Sequence, residues 1–229
     1  MIIGNGFLAN AFNDRIGENL VVFASGVSDS ACTDESSFLR EEQLLLKTIA
    51  DNQGKCLVYF SSCGVISQEL LGVPYYRHKL KMEQIICSTH PKYLIFRLPQ
   101  VIGKSRNNKT LVNNFFESVI SGQKITLHRF SKRYFIDIDH VVLFVVHAYK
   151  GLVLKNKIIN IACPIEYTAL ELLQVIETLT GLSANYHLED GGSSYSLDTS
   201  MFSNEAPILQ IELSDSYLMR AIQKHYVSK

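Results

Sequence analysis

The sequence has few cysteines, no excess of either charge and no long apolar run, and each absence excludes a class of protein. The five cysteines are scattered, odd in number and without a C-x-x-C pair, which favours a reducing compartment and argues against a structural zinc site. The 22 basic and 22 acidic residues balance, which gives no support for a nucleic-acid or acidic-membrane partner. The longest apolar run, near Val141 to Val146, is too short to span a bilayer and predicts a buried helix.

Length and composition set the broad class. At 229 residues, 47% apolar and 19% charged, the chain fits a soluble protein with one substantial core, or one domain with a small annex. Because the chain opens with an apolar strand, we expect no signal peptide and a cytoplasmic location. The seven histidines do not cluster with carboxylates or cysteines, so no metal is expected, and His78 and His90 are expected at the surface.

Short β-rich runs alternate with helical patterns, which predicts a parallel sheet with helices on both faces. The predicted strands are Ile2–Ile3, Leu20–Phe23, Cys56–Phe60, Tyr93–Phe96, Ile125–Leu127 and Ile158–Ile161. The predicted helices are Phe7–Asp14, Ser37–Asp51, Tyr75–Ser88, Thr110–Ser121, Asp139–Tyr149, Thr168–Thr180 and a closing helix, Ser214–Tyr226, capped by Ser214. Residues 185–212 are mixed and include a loop at Gly191–Ser194.

The first strand runs into a G-x-G-x-x-A turn formed by Gly4, Gly6 and Ala9. Glycines there allow a tight turn and let backbone N–H groups approach a pyrophosphate, whose charge suits a helix N-terminus. A lone glycine motif is weak, but the strand before it and the helix after it are both present. The turn is therefore a candidate phosphate site.

Tyr75 and Lys79 stand four residues apart on a predicted helix, so both side chains lie on one face. A cation beside a phenol favours the phenolate and lowers the phenol pKa from its ordinary value of about 10. A tyrosine tuned in this way can exchange a proton with a sugar or alcohol hydroxyl near neutral pH.

Several segments occur in the order found in one known family. They are the glycine turn, Val58–Cys63, Tyr75–Lys79, Phe96–Gly103, Arg133–Asp139 and Ile159–Ala162. Together they resemble the extended short-chain dehydrogenase/reductases, the NAD-dependent epimerase/dehydratase family that modifies nucleotide sugars. The resemblance runs from residue 1 to about residue 182.

The resemblance implies NAD or NADP as cofactor, a nucleotide-sugar substrate and a role in surface polysaccharide biosynthesis. It implies that Ser62 orients the substrate oxygen, Tyr75 is the general acid/base, and Lys79 binds the nicotinamide ribose. Ser62 matches a serine-x-x-valine-tyrosine run in which Ile66 replaces the tyrosine, and Ser61 and Cys63 are one-residue alternatives. The implied cofactor-binding residues are Gly4, Asn5, Gly6, Phe7, Leu8, Ala24, Ser25, Gly26, Lys79, Leu98 and Pro99. The implied substrate-binding residues are Gln100, beside the nicotinamide, and Arg133, as a clamp on the diphosphate.

Each of these roles has an ordinary structural alternative. The small residues after Phe60 can simply pass a strand into a turn, and Lys79 can be the solvated face of an amphipathic helix. The Pro99–Gln100 segment can be a loop, and Arg133 an exposed residue at a strand end. Asp137 and Asp139 are expected to begin a helix rather than to act as catalysts, because carboxylates favour the first helical turn.

The chain also departs from the family between its first helix and its second strand. Relatives place two further strand–helix units there, whereas here Val21–Gly26 already looks like the later strand that ends near the nicotinamide. In the usual strand order 3-2-1-4-5-6, the loss of strands two and three leaves strand one at an edge. The acidic residue that binds the adenosine ribose is lost with them, and Asp29 or Asp34 would be a guess as its substitute.

The predicted fold class is α/β, a Rossmann-like, doubly wound and mostly parallel sheet, truncated at the adenosine flank and followed by a small substrate-binding subdomain. Residues 1–162 form the predicted core, with excursions to the substrate side, and 163–229 the mixed region. A new sheet edge is a pairing liability that a homodimer could cover. Two functions follow: an epimerase, dehydratase or ketoreductase, or a non-catalytic nucleotide-sugar-binding module with weakened dinucleotide binding.

Overall fold

A computed structural model describes residues 1–12, 15–104, 110–151 and 156–227. The described residues cluster into two compact units, Met1–Leu98 with Val141–Ile161 and Pro99–His140 with Ala162–Lys229. Residues 99–140, which fall within the predicted core of residues 1–162, thus group with the second unit. Among the described residues, no helix combines the length and apolar character needed to cross a membrane.

The secondary structure follows the predicted alternation. The strands are β1 (Ile2–Ile3), β2 (Leu20–Phe23), β3 (Cys56–Ser62), β4 (Tyr93–Leu98), β5 (Gln100–Ile102), β6 (Ile125–His128), β7 (Lys132–Arg133), β8 (Phe135–Asp137), β9 (Lys157–Asn160), β10 (Tyr167–Thr168) and β11 (Tyr186–Glu189). The helices are α1 (Phe7–Ala11), α2 (Glu35–Asp51), α3 (Pro74–Thr89), α4 (Leu111–Ser121), α5 (Ile138–Lys150), α6 (Ala169–Thr180), α7 (Ser200–Glu205) and α8 (Tyr217–Ile222). The predicted end of the first helix at Asp14 lies outside the described residues.

The first unit is built on a five-stranded sheet in the order β1-β2-β3-β4-β9. Every neighbouring pair in this sheet is parallel, and β1 pairs directly with β2, with Ile2 opposite Val22. The strand that carries the glycine turn is therefore an edge strand, as the sequence predicts for a sheet without its second and third strands. The predicted α/β fold class is confirmed.

Helices α2 and α3 pack against this sheet. The core of buried residues consists of Val21, Phe23, Leu45, Ile49, Leu57, Tyr59, Met82, Ile86 and Ile95. Helix α2 begins after Asp34, whose carboxylate accepts hydrogen bonds from the backbone N–H groups of Ser36 and Ser37. Asp34 thus serves as the N-cap of α2. This role accounts for an aspartate at this position without any part in binding the adenosine ribose.

The described residues of the second unit form three two-stranded sheets, β10-β7, β11-β6 and β5-β8. Strands β5 and β8 are three residues each, too short for an alternating pattern to predict them. The closing helix is shorter than predicted: α8 begins at Tyr217 with Ser216 at its N-cap, and a π-helical turn, Gln223–Val227, follows it. The expected cap at Ser214 is wrong, because the Ser214 carbonyl accepts the N–H of Tyr217 in a preceding turn.

The glycine turn predicts a sharp difference between two glycine-to-alanine substitutions. Gly4 has φ +123°, and a Cβ there would lie 2.5 Å from the Ala24 carbonyl oxygen, whereas Gly6 has φ −82° and nothing within 4 Å of a Cβ. We expect Gly4→Ala to lower the free energy of unfolding by about 2 kcal/mol or more through backbone strain. Gly6→Ala is the control, with an expected change within about 0.5 kcal/mol. Urea denaturation measures both, and equal losses would contradict the described turn.

Candidate active site

The carboxyl end of β3 positions Ser62. A short 3₁₀ turn, Cys63–Ile66, follows the strand, and the Ser62 side chain accepts a hydrogen bond of 3.3 Å from the Gly64 N–H. The turn is fixed by close packing, since a Cβ at Gly64 would lie 2.3 Å from the Tyr76 ring. Ser62 is also paired in register with Leu98, the last residue of β4.

Helix α3 brings Tyr75 to this turn. Pro74 occupies the first helical position, where its missing N–H costs no hydrogen bond. Tyr75 is 8% exposed and packs edge-on against Tyr76, with ring centres 5.0 Å apart. The Ser62 side chain is near enough to act on the Tyr75 phenol, whose pKa it lowers. The predicted serine and tyrosine therefore meet at one point.

The two alternatives to Ser62 are engaged differently. Ser61 is buried, and its hydroxyl has no hydrogen-bond partner among the described residues. The Cys63 thiol donates to the Arg97 carbonyl, at 3.3 Å. Of the three residues, Ser62 is the one whose side chain interacts with Tyr75.

Lys79 lies one turn after Tyr75, is 3% exposed, and forms a buried ion pair that the sequence did not predict. Its Nζ is 3.0 Å from Oε1 of Glu41 in α2 and 3.2 Å from the Tyr59 hydroxyl in β3. The Tyr59 hydroxyl donates to the same Glu41 oxygen at 2.7 Å, and the Val27 N–H donates to Oε2 at 2.7 Å. An ammonium group has three donors, and these contacts use two of them.

Histidines 78 and 90 are both buried, so their expected surface position is wrong. His78 Nε2 lies 3.1 Å from Glu41 Oε2, at an angle that does not make a hydrogen bond. Its ring stacks on Phe38 of α2, with centres 4.6 Å apart. His90 ends α3, and its Nε2 is 3.0 Å from the Lys55 carbonyl oxygen. Both rings fill space between elements of the first unit.

Burial and neighbouring groups raise the pKa of Tyr75 well above that of an ordinary tyrosine. The largest cause is burial, the phenol of Tyr76 and the Glu41 carboxylate act in the same direction, and Ser62 opposes them. The expectation that Lys79 lowers this pKa is wrong, because the lysine charge is matched by Glu41 at 3.0 Å. Burial alone would raise the pKa of Glu41, but Lys79 and the surrounding donors outweigh it and hold the pKa far below its usual range.

The predicted cofactor segments of the first unit lie together. Gly4 packs on the backbone at Ala24, and a Cβ at Gly26 would lie 2.6 Å from Lys79 Nζ. Residues 24–26 thus connect the glycine turn with the Tyr75–Lys79 helix. A Cβ at Gly6, the N-cap of α1, would meet nothing within 4 Å, so the turn is open at this position. The turn fits a dinucleotide phosphate in this respect.

The predicted substrate residues belong to the second unit. The Gln100 N–H donates to the Tyr134 carbonyl at 3.1 Å, which pairs β5 with the chain before β8. Arg133 Nη1 donates to the backbone carbonyls of Ser193, at 2.6 Å, and Lys132, at 2.7 Å. Much of the Arg133 guanidinium is therefore committed to backbone groups of its own unit.

The second unit also contains a charged cluster at the start of α5. Ligand atoms of Asp137, Asp139 and His225 lie within 4.8 Å of one another, so the expectation that no histidine clusters with carboxylates is wrong: the fold joins residues that are distant in sequence. The Lys224 ammonium lies between the two carboxylates, 2.9 Å from Asp137 and 2.6 Å from Asp139. It supplies the positive charge that a metal ion would bring. Asp137 also accepts the Asp139 N–H, as expected for a helix-start residue.

This cluster predicts acid sensitivity of the second unit. Burial acts to raise the pKa of Asp137, but the hydrogen bonds from His225, Lys224 and the Asp139 N–H lower it to about 2. A depressed pKa gives stability that is present above the unfolded value of about 3.9 and is lost as the pH falls to about 2. We expect Asp137→Asn to cost about 2 kcal/mol at pH 7 and nothing near pH 2.

Urea denaturation at both pH values measures this loss. Asp190→Asn is a matched control, because Asp190 is exposed in its pair with Arg129 and should contribute less than about 1 kcal/mol. A cost of Asp137→Asn that does not change with pH would show that the carboxylate charge is not the source of the stability.

Sequence reasoning missed Glu41 and Tyr59. A signal for Glu41 was present, since it precedes Leu45 by four residues and Thr48 by seven, on the side of α2 that is buried. A charged residue on the apolar face of a helix requires a buried partner. Tyr59 carries no comparable signal, because a tyrosine in a buried strand is ordinary.

Comparison with solved structures finds chains of similar fold, while no protein-family model and no curated protein sequence matches the chain. UDP-glucose 4-epimerase from Thermus thermophilus, in complex with NAD, superposes with a TM-score of 0.71 and 18% identity over 95% of this chain and 80% of that one. dTDP-glucose 4,6-dehydratase from Bacillus anthracis, in complex with NAD, gives 0.69 and 16% over 90% and 71%. RMD from Pseudomonas aeruginosa, complexed with NADPH, gives 0.69 and 14% over 90% and 80%. At such identities the likeness shows a shared fold.

Proposed function

We propose that the chain is an NAD(P)-dependent enzyme of the epimerase, dehydratase or ketoreductase type that acts on a nucleotide-activated sugar in surface polysaccharide biosynthesis, in the cytoplasm. The observation that carries this proposal is the meeting of Ser62, Tyr75 and Lys79 at one end of the sheet that also bears the glycine turn. The fold is that of solved enzymes with such substrates and cofactors, which supports the same assignment.

Most of the proposed cofactor-binding residues belong to the first unit, and Pro99 to the second. Residues 4–8 would face the cofactor's pyrophosphate, and residues 24–26 with Leu98 and Pro99 its nicotinamide half. The third N–H of Lys79 would remain for a ribose hydroxyl. When bound, a nicotinamide dinucleotide supplies or accepts a hydride.

The chain's own groups would then handle the proton. Tyr75 would exchange a proton with the substrate oxygen, and Ser62 would orient that oxygen by a hydrogen bond. Burial of the site strengthens both interactions by excluding water. Gln100 and Arg133 would contact the sugar and the diphosphate.

Binding of reduced cofactor tests the proposal. NADH and NADPH are titrated by nicotinamide fluorescence, followed by UDP- and dTDP-linked sugars with product detection. Gly6→Ala should weaken cofactor binding roughly tenfold, or about 1.4 kcal/mol. Gly54→Ala is the control, since a Cβ at Gly54 also meets nothing within 4 Å but lies away from the turn. Absence of binding of either cofactor would overturn the proposal.

A second candidate is a non-catalytic module that binds a nucleotide sugar. Its support is the position of β1 at the edge of the sheet. The described first unit has no strand beyond β1 that could bind the adenosine half of a dinucleotide. Binding of a UDP- or dTDP-sugar without measurable binding of either dinucleotide would favour this candidate.

A further inference from the structure

Glu41 is a buried charge for which the proposed chemistry has no role. The residue is 0% exposed, and its carboxylate is surrounded by three donors: the Val27 N–H, the Tyr59 hydroxyl and the Lys79 ammonium. A carboxylate at such a depth is costly unless it is paired and hydrogen-bonded. Glu41 and Lys79 therefore form a buried, hydrogen-bonded ion pair that is part of the packing of the first unit, and not a surface pair.

The consequence falls on Lys79. Its Nζ is 3.0 Å from Glu41 and 5.8 Å from the centre of the Tyr75 ring. Among the described residues, no hydrogen bond joins the ammonium to the Tyr75 hydroxyl. At Tyr75, the stabilisation that the Lys79 ammonium would give to a phenolate is largely offset by the Glu41 carboxylate.

The other groups near Tyr75 also favour its neutral form. Charged or titratable groups reach it from the elements packed against it: Tyr76 and Lys79 from α3, Glu41 from α2, Tyr59 from β3, and Asp29 from the loop after β2. Of these, Tyr76, Glu41 and Asp29 oppose ionisation of the phenol. The Ser62 hydroxyl, at the end of β3, acts in the opposite direction and lowers the pKa of Tyr75.

We propose that Glu41 is a positioning residue that anchors Lys79 in an internal ion pair, keeps Tyr75 a neutral phenol, and so arranges the site to donate a proton to a carbonyl oxygen. This inference rests on the proposed function and narrows it to reduction of a keto group on the nucleotide sugar. A neutral phenol serves as an acid, whereas oxidation of an alcohol requires a base.

The step balances in atoms and electrons. The carbonyl carbon accepts a hydride from a reduced nicotinamide, which leaves the nicotinamide oxidised. The carbonyl oxygen accepts the proton of the Tyr75 hydroxyl, so the C=O π bond is replaced by one C–H and one O–H bond. The Tyr75 phenolate regains its proton from water.

The ionisation of Tyr75 can be measured without cofactor or substrate. Tyrosine labelled with ¹³C at Cζ reports each phenol by NMR, and Tyr75→Phe identifies the relevant signal. In the native chain this signal should remain that of a neutral phenol beyond the pH at which an ordinary tyrosine ionises, about 10. In Glu41→Gln the midpoint should fall by about one pH unit or more, since Lys79 then acts on Tyr75 alone.

Two further variants keep the test decisive. Glu41→Gln with Lys79→Gln removes both charges, and its Tyr75 signal should match that of the native chain. Glu83→Gln removes another buried carboxylate, one that pairs with Arg97 in the same unit, and should leave the signal unchanged. The native chain still gives an answer if Glu41→Gln alone does not fold, because ionisation of its Tyr75 below about pH 10 overturns the role of Glu41.

The outcomes separate this inference from the proposed function. A native Tyr75 that ionises below pH 10, or a midpoint that does not move in Glu41→Gln, overturns the role of Glu41. Failure to bind either dinucleotide overturns the proposed function while leaving the titration valid. With cofactor bound, the pH optimum for oxidation of the sugar should move to lower pH in Glu41→Gln, and a purely structural role would not move it.

Discussion

Replacing Tyr75 by phenylalanine is expected to lower kcat for the nucleotide sugar by about 10²–10⁴-fold. That range is what a positioned general acid or base contributes. The phenyl ring keeps the packing of Tyr75 against Tyr76 but removes the hydroxyl that interacts with Ser62. Because the ring remains, KM and the cofactor affinity should change far less than kcat. Steady-state kinetics with the accepted sugar measures the effect.

Tyr76→Phe is the matched control for this variant. Tyr76 adjoins Tyr75, and its ring lies over Gly64, but it has no proposed part in proton transfer. Thermal unfolding should show both variants folded. Full turnover by Tyr75→Phe on every accepted sugar would remove Tyr75 from the chemistry.

Replacing Lys79 by methionine should destabilise the protein by about 3–5 kcal/mol, because it leaves Glu41 as an uncompensated buried charge. The side chains of Lys79 and Glu41 are 4% and 0% exposed, so water cannot take the place of the ammonium. The methionine keeps most of the apolar stem of the lysine. The free energy of unfolding in urea measures the loss.

Lys81→Met provides the comparison, two residues along the same helix. Lys81 pairs with Glu42 at 2.7 Å, but its side chain is 55% exposed, so its loss should cost less than about 1 kcal/mol. Adding Glu41→Gln to Lys79→Met should restore more than half of the stability, because the buried charge is then gone. Equal losses in Lys79→Met and Lys81→Met would show that the Glu41 pair is not buried in solution.

The parts of the fold that local sequence determines were predictable. The alternation of strands and helices and the glycine turn gave the parallel sheet and the edge position of β1. The Pro74 start and the four-residue spacing placed Tyr75 and Lys79 on one helix. These features depend on neighbouring residues along the chain, for which periodicity and turn chemistry are informative.

The Glu41 ion pair depends on contacts that periodicity does not specify. Glu41 and Lys79 are 38 residues apart in sequence, and their meeting requires the packing of α2 against α3. The pKa of Tyr75 was predicted in the wrong direction for this reason: the adjacent lysine was visible in the sequence, whereas its distant counter-ion and the burial were not. In the second unit, three-residue strands such as β5 form only through their partners.

Because β1 lies at the edge of the five-stranded sheet, further strand–helix units can be added there by design. Two strand–helix units inserted between α1 and β2 would extend the sheet beyond β1, which in the described part of the chain pairs with β2 alone. Such a chimera would extend the sheet without altering the end of β3 or the start of α3. The difference in dinucleotide affinity between the chimera and the native chain, with catalysis otherwise unchanged, would measure what the added units contribute to binding of the adenosine half.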